Sequence, residues 1–594
     1  MKSLSYLNKY FIKYKWRFLL GILFIVISNY FGVQMPLYVK STIDNLLLEN
    51  PINGLQDALL LSLKIGGIYM LLSLGSGFFL FLTRQTIIIM SRLIEFDLKN
   101  EIYSHYQKLD ASFYKKNTTG DLMNRISEDV GQVRMYIGPG LMYTINLVAL
   151  FGLVVFQMID ISPSLTLFVL IPLPIMSFLI YKVSSKMNLL STEVQKEQSM
   201  MSTIVQETFS GLRVIKAYSK EKETHDKFNK SASFYKNKSM KLVIVNAFFM
   251  PTIVFLIGLS TILTIYLGGL KSYDQSITLG GILAFILFVN KLTWPFASVG
   301  WVTSIIQRAA ASQTRINEFL KTEPSITNPT EAPFNFNGTV EFKNVSFTYE
   351  NSGIQAIKDL SFKINPGETL AIIGRTGSGK STVINLLMRQ FDVDSGGILI
   401  DGQELKRINL SDFRNQTGIV PQDVFLFSET IADNIRFGST NENIALEEIE
   451  ESAKKAAVYE NIVAFPDKFD TLLGERGVNL SGGQKQRVSI ARALIRNPKL
   501  LVLDDCLSAV DTETEEKILS NLKNEQNLRS SLIVSHRISS LRNADRIIVI
   551  HDGTKVEEGT HNELLARKGQ YAEMYIKQLT EESTKADELD ADSI

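Results

Sequence analysis

Cysteine is nearly missing from this 594-residue chain. Cys506 stands alone, so no intrachain disulfide staples the fold and no oxidised scaffold is at work. Net charge is almost missing too, at +1, which argues against a nucleic-acid partner on bulk electrostatics. The N-terminal region lacks a small-residue cleavage site after its first long apolar run. The basic, aromatic stretch 1–17 therefore reads as the flank of a retained membrane helix rather than as a signal peptide. What the chain does have is apolar surface: hydrophobic residues make up 45%, concentrated before residue 310, and the length calls for more than one core.

Six apolar runs lie in that first half, at about 17–39, 58–83, 138–159, 162–182, 242–268 and 279–306. Each is near the ~20 residues that cross ~30 Å of hydrocarbon. Lys2, Lys9, Lys13, Lys15 and Arg17 flank the first run, and the segments 91–137 and 184–241 carry seven and eleven basic residues. The connections 40–57 and 269–278 carry one each, Lys40 and Lys271. This asymmetry predicts that both termini and both long loops are cytoplasmic. The loops are polar and helical over far more residues than a hairpin needs, which predicts helices continuing out of the bilayer. They would reverse near Ser112–Asp121, with Gly120 as breaker, and near Gly211–Lys222. These tips would press on another domain or be solvated loops. Within the runs lie Asn29, Gln34, Lys64, Asn146, Gln157, Asn246, Asn290 and Lys291. An ionisable group in hydrocarbon costs at least ~2.5 kcal/mol, so Lys64 and Lys291 should face protein or water, lining a substrate path or binding a neighbouring helix. Trp294-Pro295 predicts a kink and an interfacial anchor.

Hydropathy drops after residue 307, and Pro324, Pro329 and Pro333 mark a linker. The expected partition is a membrane domain over 1–310, a linker over 311–337, an α/β domain with a largely parallel sheet over 338–578, and a polar, disordered tail over 579–594. The sharpest signal of the chain lies in this second half. LAIIGRTGSGKS, residues 370–381, runs from a predicted strand through Gly374, Arg375, Thr376, Gly377, Ser378 and Gly379 to Lys380, Ser381 and a helix beginning near Thr382. Such a loop turns backbone N–H groups onto a phosphate, offers Lys380 to the β and γ oxygens, and gives the Ser381 hydroxyl to Mg²⁺. KLLVLDD, residues 499–505, predicts a buried strand that delivers Asp504 beside that loop to hold Mg²⁺. SLIVSHR, residues 531–537, ends a further strand at His536, placed to sense a γ-phosphate. Tyr349 sits on an early strand, available to stack on a nucleobase or simply to pack. LSGGQKQR, residues 480–487, predicts a helix opening near Gln484, with Ser481, Gly482 and Gly483 forming a second anion-receptive N-terminus. Two phosphate devices in one domain make sense if the second serves a nucleotide bound to another copy.

These residues resemble an ABC transporter of the exporter type, over nearly the whole chain. GRTGSGKS matches the Walker A loop, LSGGQ the signature, LLVLD Walker B and Gln422 in VPQD the Q-loop. Residues 508–511 (SAVD) match the D-loop, His536 the switch histidine, Tyr349 the A-loop and GERG (474–477) the exporter X-loop. The resemblance implies six helices fused to one nucleotide-binding domain, a half-transporter of a prokaryotic plasma membrane. Two such halves would dimerise with ATP held between the Walker A loop of one and the signature of the other. It also makes the two loop reversals candidate coupling helices, and drugs, lipids or peptides candidate substrates. One position departs from the family: its general base is a glutamate directly after the Walker B aspartate, and here stands Asp505. A carboxylate one methylene shorter lies ~1.5 Å farther from the attacking water, and ~1 Å of misplacement can cost ~10²-fold. ATP should bind here and be cleaved slowly, with Gln422, Asp505 and His536 in the catalytic positions. By analogy with related exporters this predicts a heterodimer in preference to a homodimer. A membrane subunit that uses ATP occupancy as a gate, without uphill transport, is the other reading.

Overall fold

The computed structural model describes residues 2–48, 55–350, 352–441, 443–474, 477–523 and 529–591. Two compact units emerge and are taken separately. The first comprises Met1–Lys108 and Thr119–Glu323, the second Leu109–Thr118 with Pro324–Ile594.

Among the described residues the first unit's regular structure is all helix. Six of its helical runs are long and apolar enough to cross a membrane: Lys15–Leu46, Leu59–Lys108, Thr119–Ile161, Pro163–Ser210, Glu221–Tyr273 and Leu279–Leu320. The sixth is the packing axis. Its Phe285, Phe288, Val289 and Leu292 are fully buried against Val154 and Met158 of the third and Val169 and Met176 of the fourth. Polar groups inside the spans partner one another where they meet, as the Asn29 amide donates to the Asn146 carbonyl at 3.0 Å. Lys291 lies half-buried with its Nζ against Gly32 of the first run, whereas Lys64 is exposed. The helix Leu279–Leu320 passes through the drop in hydropathy at 307 and on to its C-cap at Lys321.

The expected reversals take different forms. Gly211 caps the helix Pro172–Ser210, and a short helix Leu212–Ala217 precedes Glu221–Ala247. Gly120 is not a breaker, because it lies inside the helix Thr119–Asn124. The first turn is made instead at Asp110, whose carboxylate caps the short helix Ala111–Lys116 by accepting from Phe113 N at 3.2 Å, and at Asn117, which is extended. Asparagine and aspartate do at these corners what the sequence suggested glycine would do.

The second unit carries two sheets. A six-stranded sheet runs β10–β9–β3–β8–β7–β6, with β3 Thr369–Ile373, β6 Thr417–Val420, β7 Leu500–Asp504, β8 Ser530–Val534 and β9 Arg546–His551 all parallel, and β10 Thr554–Gly559 antiparallel at the edge. β3, β7 and β8 are buried at every residue, which is why they read as unbroken apolar runs. A four-stranded antiparallel sheet, β2–β1–β4–β5, packs beside it, with β1 Val340–Tyr349, β2 Ile354–Ile364, β4 Ser395–Ile400 and β5 Gln403–Glu404. That second sheet was not expected from the alternation of strand and helix. At the C-terminus the helix Gln570–Ala591 continues into the segment expected to be a disordered tail.

Candidate nucleotide site

Parallel strands present their carboxyl ends at one edge, and ligands of such sheets bind there. In this sheet Ile372 of β3 pairs with Val534 of β8, which pairs with Asp504 of β7. The register brings the loop after β3, the acid that ends β7 and the histidine after β8 to a single edge.

The loop holds its shape through glycine. Gly379 has φ of +102°, and a Cβ there would meet Ala356 O at 2.4 Å. A Cβ on Gly374 would meet Ile550 O at 2.2 Å. The helix Lys380–Leu387 therefore opens two residues before Thr382, with Gly379 as an N-cap that supplies no side-chain partner. Its first N–H groups and its positive end are left to a ligand. Lys380 is buried, and its ammonium donates to Gly374 O at 2.7 Å and Arg375 O at 3.0 Å. Burial pushes this lysine down to about 8, against the pull of the Asp505 and Asp504 carboxylates. The Ser381 hydroxyl donates to Asp504 Oδ1 at 3.2 Å, so the two expected Mg²⁺ ligands already touch. Burial raises Asp504 above the usual carboxylate range. It lowers His536 from the usual histidine value, with the Lys380 charge adding to the effect.

A cavity of about 510 Å³ is lined by Tyr349, Thr376, Gly377, Gly379, Lys380, Ser381, Thr382, Gln422, Asp504, Asp505 and His536, together with residues of β2 and Asp552-Gly553. Gly374, Arg375 and Ser378 are not among the lining residues: Arg375 is exposed, and the Ser378 hydroxyl is buried without a partner. The Tyr349 hydroxyl lies 3.1 Å from Thr382 Oγ1, which ties the aromatic ring to the phosphate-loop helix. A desolvated lysine, a cap-free helix start and an adjacent serine and aspartate fit a nucleoside triphosphate with Mg²⁺. No group of three or more His, Cys, Asp or Glu is placed to hold a metal by itself among the described residues, so the ion's remaining ligands would come from phosphate and water.

Asp505 turns the chain out of β7 with φ of +47°. Its N–H donates to Val534 O at 2.7 Å, and its Oδ1 accepts from His536 N at 3.4 Å. The signature residues Ser481 to Gln484 are not part of the cavity lining. They start the helix Gly482–Leu494, two residues before the expected Gln484, through a reciprocal cap: Ser481 Oγ accepts from Gln484 N at 3.3 Å and Gln484 Oε1 from Ser481 N at 2.9 Å. Of the expected X-loop, Gly474 and Gly477 are described, whereas Glu475 and Arg476 lie outside the described residues.

Three residues that matter here carry no sequence signal of their own. Gln486 joins the signature helix to the 508–511 turn, donating to Ser508 Oγ at 3.4 Å and accepting from Ala509 N at 3.1 Å. Gln578 brackets the histidine, donating to His536 O and accepting from Ile538 N at 3.0 Å. Lys115, on the short helix that belongs to this unit, places its ammonium 4.6 Å from the centroids of both Tyr349 and Phe391. Its neighbour Lys116 pairs with Glu350 at 2.8 Å.

The family model for the ABC transporter transmembrane region matches residues 18–296, and that for the ABC transporter matches 357–508. The chain is 34% identical over 97% of its length, and 98% of the other, to the multidrug resistance-like ATP-binding protein MdlA of Buchnera aphidicola. It belongs to the ABC transporter family. An ATP-dependent lipid A-core flippase of Syntrophus aciditrophicus is 32% identical over 95% of this chain and 93% of its own. The structure of a bacterial Atm1-family ABC exporter with ATP bound superposes with a TM-score of 0.79 at 26% identity, covering 95% of this chain and 98% of that one. This ABC transporter is thus a multi-pass membrane protein of the exporter fold, with an ATP-binding unit whose ATPase activity is coupled to transport.

Proposed function

We propose that the protein is an export half-transporter that moves an amphipathic or hydrophobic substrate across the plasma membrane by alternating access. The division of labour is a membrane domain that continues along its sixth helix to Leu320, a linker up to 337 and a nucleotide domain over 338–578, with both termini and the nucleotide domain in the cytoplasm. Tyr349 stacks the adenine, residues 374–382 wrap the phosphates, and Ser381, Asp504 and Gln422 hold Mg²⁺. The ion neutralises phosphate charge. Gln422, Asp505 and His536 face the reacting end, where a neutral His536 accepts a hydrogen bond and Asp505 orients water from a position short of ideal. Ser481, Gly482, Gly483 and Gln484 serve the nucleotide of a second subunit.

The observation that carries this reading is the separation of two phosphate devices in one unit: the loop lines a cavity, and the signature helix does not. A cap that is complete within its own chain is presented outward rather than filled from within. Asp505 beside an intact signature favours a heterodimer, in which this LSGGQ completes the stronger site on a partner. Coupling to the membrane helices runs through the short helices at 111–116 and 212–217. The relatives' printed names, multidrug resistance-like protein and lipid A-core flippase, support a drug or a lipid as the substrate.

Uphill pumping is tested in reconstituted vesicles. ATP-dependent accumulation of a lipophilic dye against its gradient is the expected result. Downhill flux alone would make the protein an ATP-gated subunit, the reading that Asp505 keeps open.

A further inference from the structure

We infer that a pocket among the second, third and sixth membrane helices binds an alkyl chain bearing an anionic headgroup. This deepens the export reading and rests on it for the claim that the occupant is cargo. The backbone is irregular on two of the three walls. Arg84–Ile88 is a π-helical turn in the second helix, and Tyr136–Gly140, with Pro139 inside it, is another in the third. Such wide turns give up regular hydrogen bonds and recur at functional sites. Thr86 takes up part of the loss, its hydroxyl donating to Leu82 O at 3.0 Å or Thr83 O at 2.9 Å. Both turns contribute to one pocket of about 470 Å³, within the range of small-molecule sites.

The chemistry of the pocket is asymmetric. Arg84 and Gln85 are its polar members, Ile88 and Met142 are apolar, and Tyr143 and Trp301 meet edge to face at 5.5 Å. No acidic residue lines it. The arginines that follow along the second and third helices are paired: Arg92 with Glu95 at 3.0 Å, Arg125 with Asp121 at 2.5 Å and Arg134 with Glu95 at 3.4 Å. Arg84 has no carboxylate partner among the described residues, although it ends a run that carries Lys64 as its lone charge after Leu59. A guanidinium beside an apolar, aromatic wall matches a phosphate, sulfate or carboxylate on a hydrocarbon tail and repels a quaternary ammonium. The pocket therefore selects anionic over cationic amphiphiles.

Trp301 is a built-in reporter. In the full chain with Trp16→Phe and Trp294→Phe, in zwitterionic nanodiscs without ATP, dodecyl phosphate should give a saturable change in Trp301 fluorescence. Arg84→Ala should weaken it ~10-fold or more, Arg84→Lys by no more than ~3-fold, and neither inorganic phosphate nor dodecyltrimethylammonium should saturate. Equal affinity in Arg84→Ala, or equal binding of the ammonium probe, would mean that Arg84 merely reaches for the interface, and the site would be refuted. Should Arg84→Ala fail to fold, Arg84→Glu and the ammonium probe decide the same point, since charge reversal should exchange the two preferences. Lys380→Ala should leave this titration unmoved, so a failure of the ATP reading is separable from a failure of the pocket. Binding without ATP-driven accumulation of labelled dodecyl phosphate in vesicles, where a lipophilic dye does accumulate, would reassign the pocket to a resident lipid and overturn its role for cargo.

Discussion

Two helix N-termini in the second unit face the same problem, orphan N–H groups and a positive dipole end, and resolve it in opposite ways. At Lys380 no side chain caps the helix, the preceding glycines are pressed against carbonyls, and a buried ammonium turns back on its own loop. At Gly482 a serine and a glutamine satisfy each other's backbone. The first is a site that a ligand must complete, whereas the second is already folded and can only be offered to something else. The difference separates binding from turnover, and mutation should expose it. Lys380→Ala removes the buried cation of the phosphate loop and should weaken ATP binding by ~10²-fold or more and abolish transport, read by equilibrium nucleotide binding. Ser481→Ala should leave ATP affinity at this chain's loop within ~2-fold while ATPase of the assembled transporter falls ~10-fold or more. If both variants lose ATP binding equally, the division between the two termini does not exist.

The acid after Walker B sharpens the contrast from inside the loop's own site. Asp505→Glu should raise turnover by up to ~10²-fold, because the longer side chain recovers the missing reach. The measurement is steady-state ATPase of the purified protein, alone and with a second half-transporter whose Walker B ends in glutamate. No rise in either preparation would mean that reach is not what limits this site.

Much of this was legible because some functions leave the chain little choice. A membrane span needs about 20 apolar residues, and a phosphate loop needs glycine where Ala356 O and Ile550 O crowd it, so both survive as pattern. A boundary at 310 cuts the helix that runs through Leu320, because its apolar stripe narrows there, although Ile316 and Phe319 stay buried. The sequence points to a first reversal over 112–121 with Gly120 as breaker, whereas Asp110 and Asn117 shape it, since a capping carboxylate reads in sequence as one more polar loop residue. The π-turns, the antiparallel sheet and the roles of Gln486 and Gln578 depend on partners distant in sequence. No local periodicity encodes them.

The smallest expected effect concerns protons, and its sign separates the loop from an ordinary cap. With the folded-state value of Lys380 lowered to about 8, the ligand-free loop sheds its charge as pH rises through that point, while a bound triphosphate favours the ammonium. ATP binding then requires proton uptake, and affinity should be flat below about pH 7.5 and fall toward ~10-fold per pH unit above 8. Stability without nucleotide moves the other way. Between about 8 and the usual lysine value the unfolded chain holds the proton that the folded chain has lost, so this group's contribution to stability rises with pH. Lys380→Arg stays charged throughout and should flatten both curves even if it binds more weakly. Isothermal titration in buffers of different ionisation enthalpy, across pH 7 to 9.5, reads the proton uptake directly. An uptake of zero at pH 8.5 would show that the lysine is not titrating there, and that burial in the empty loop leaves its charge in place.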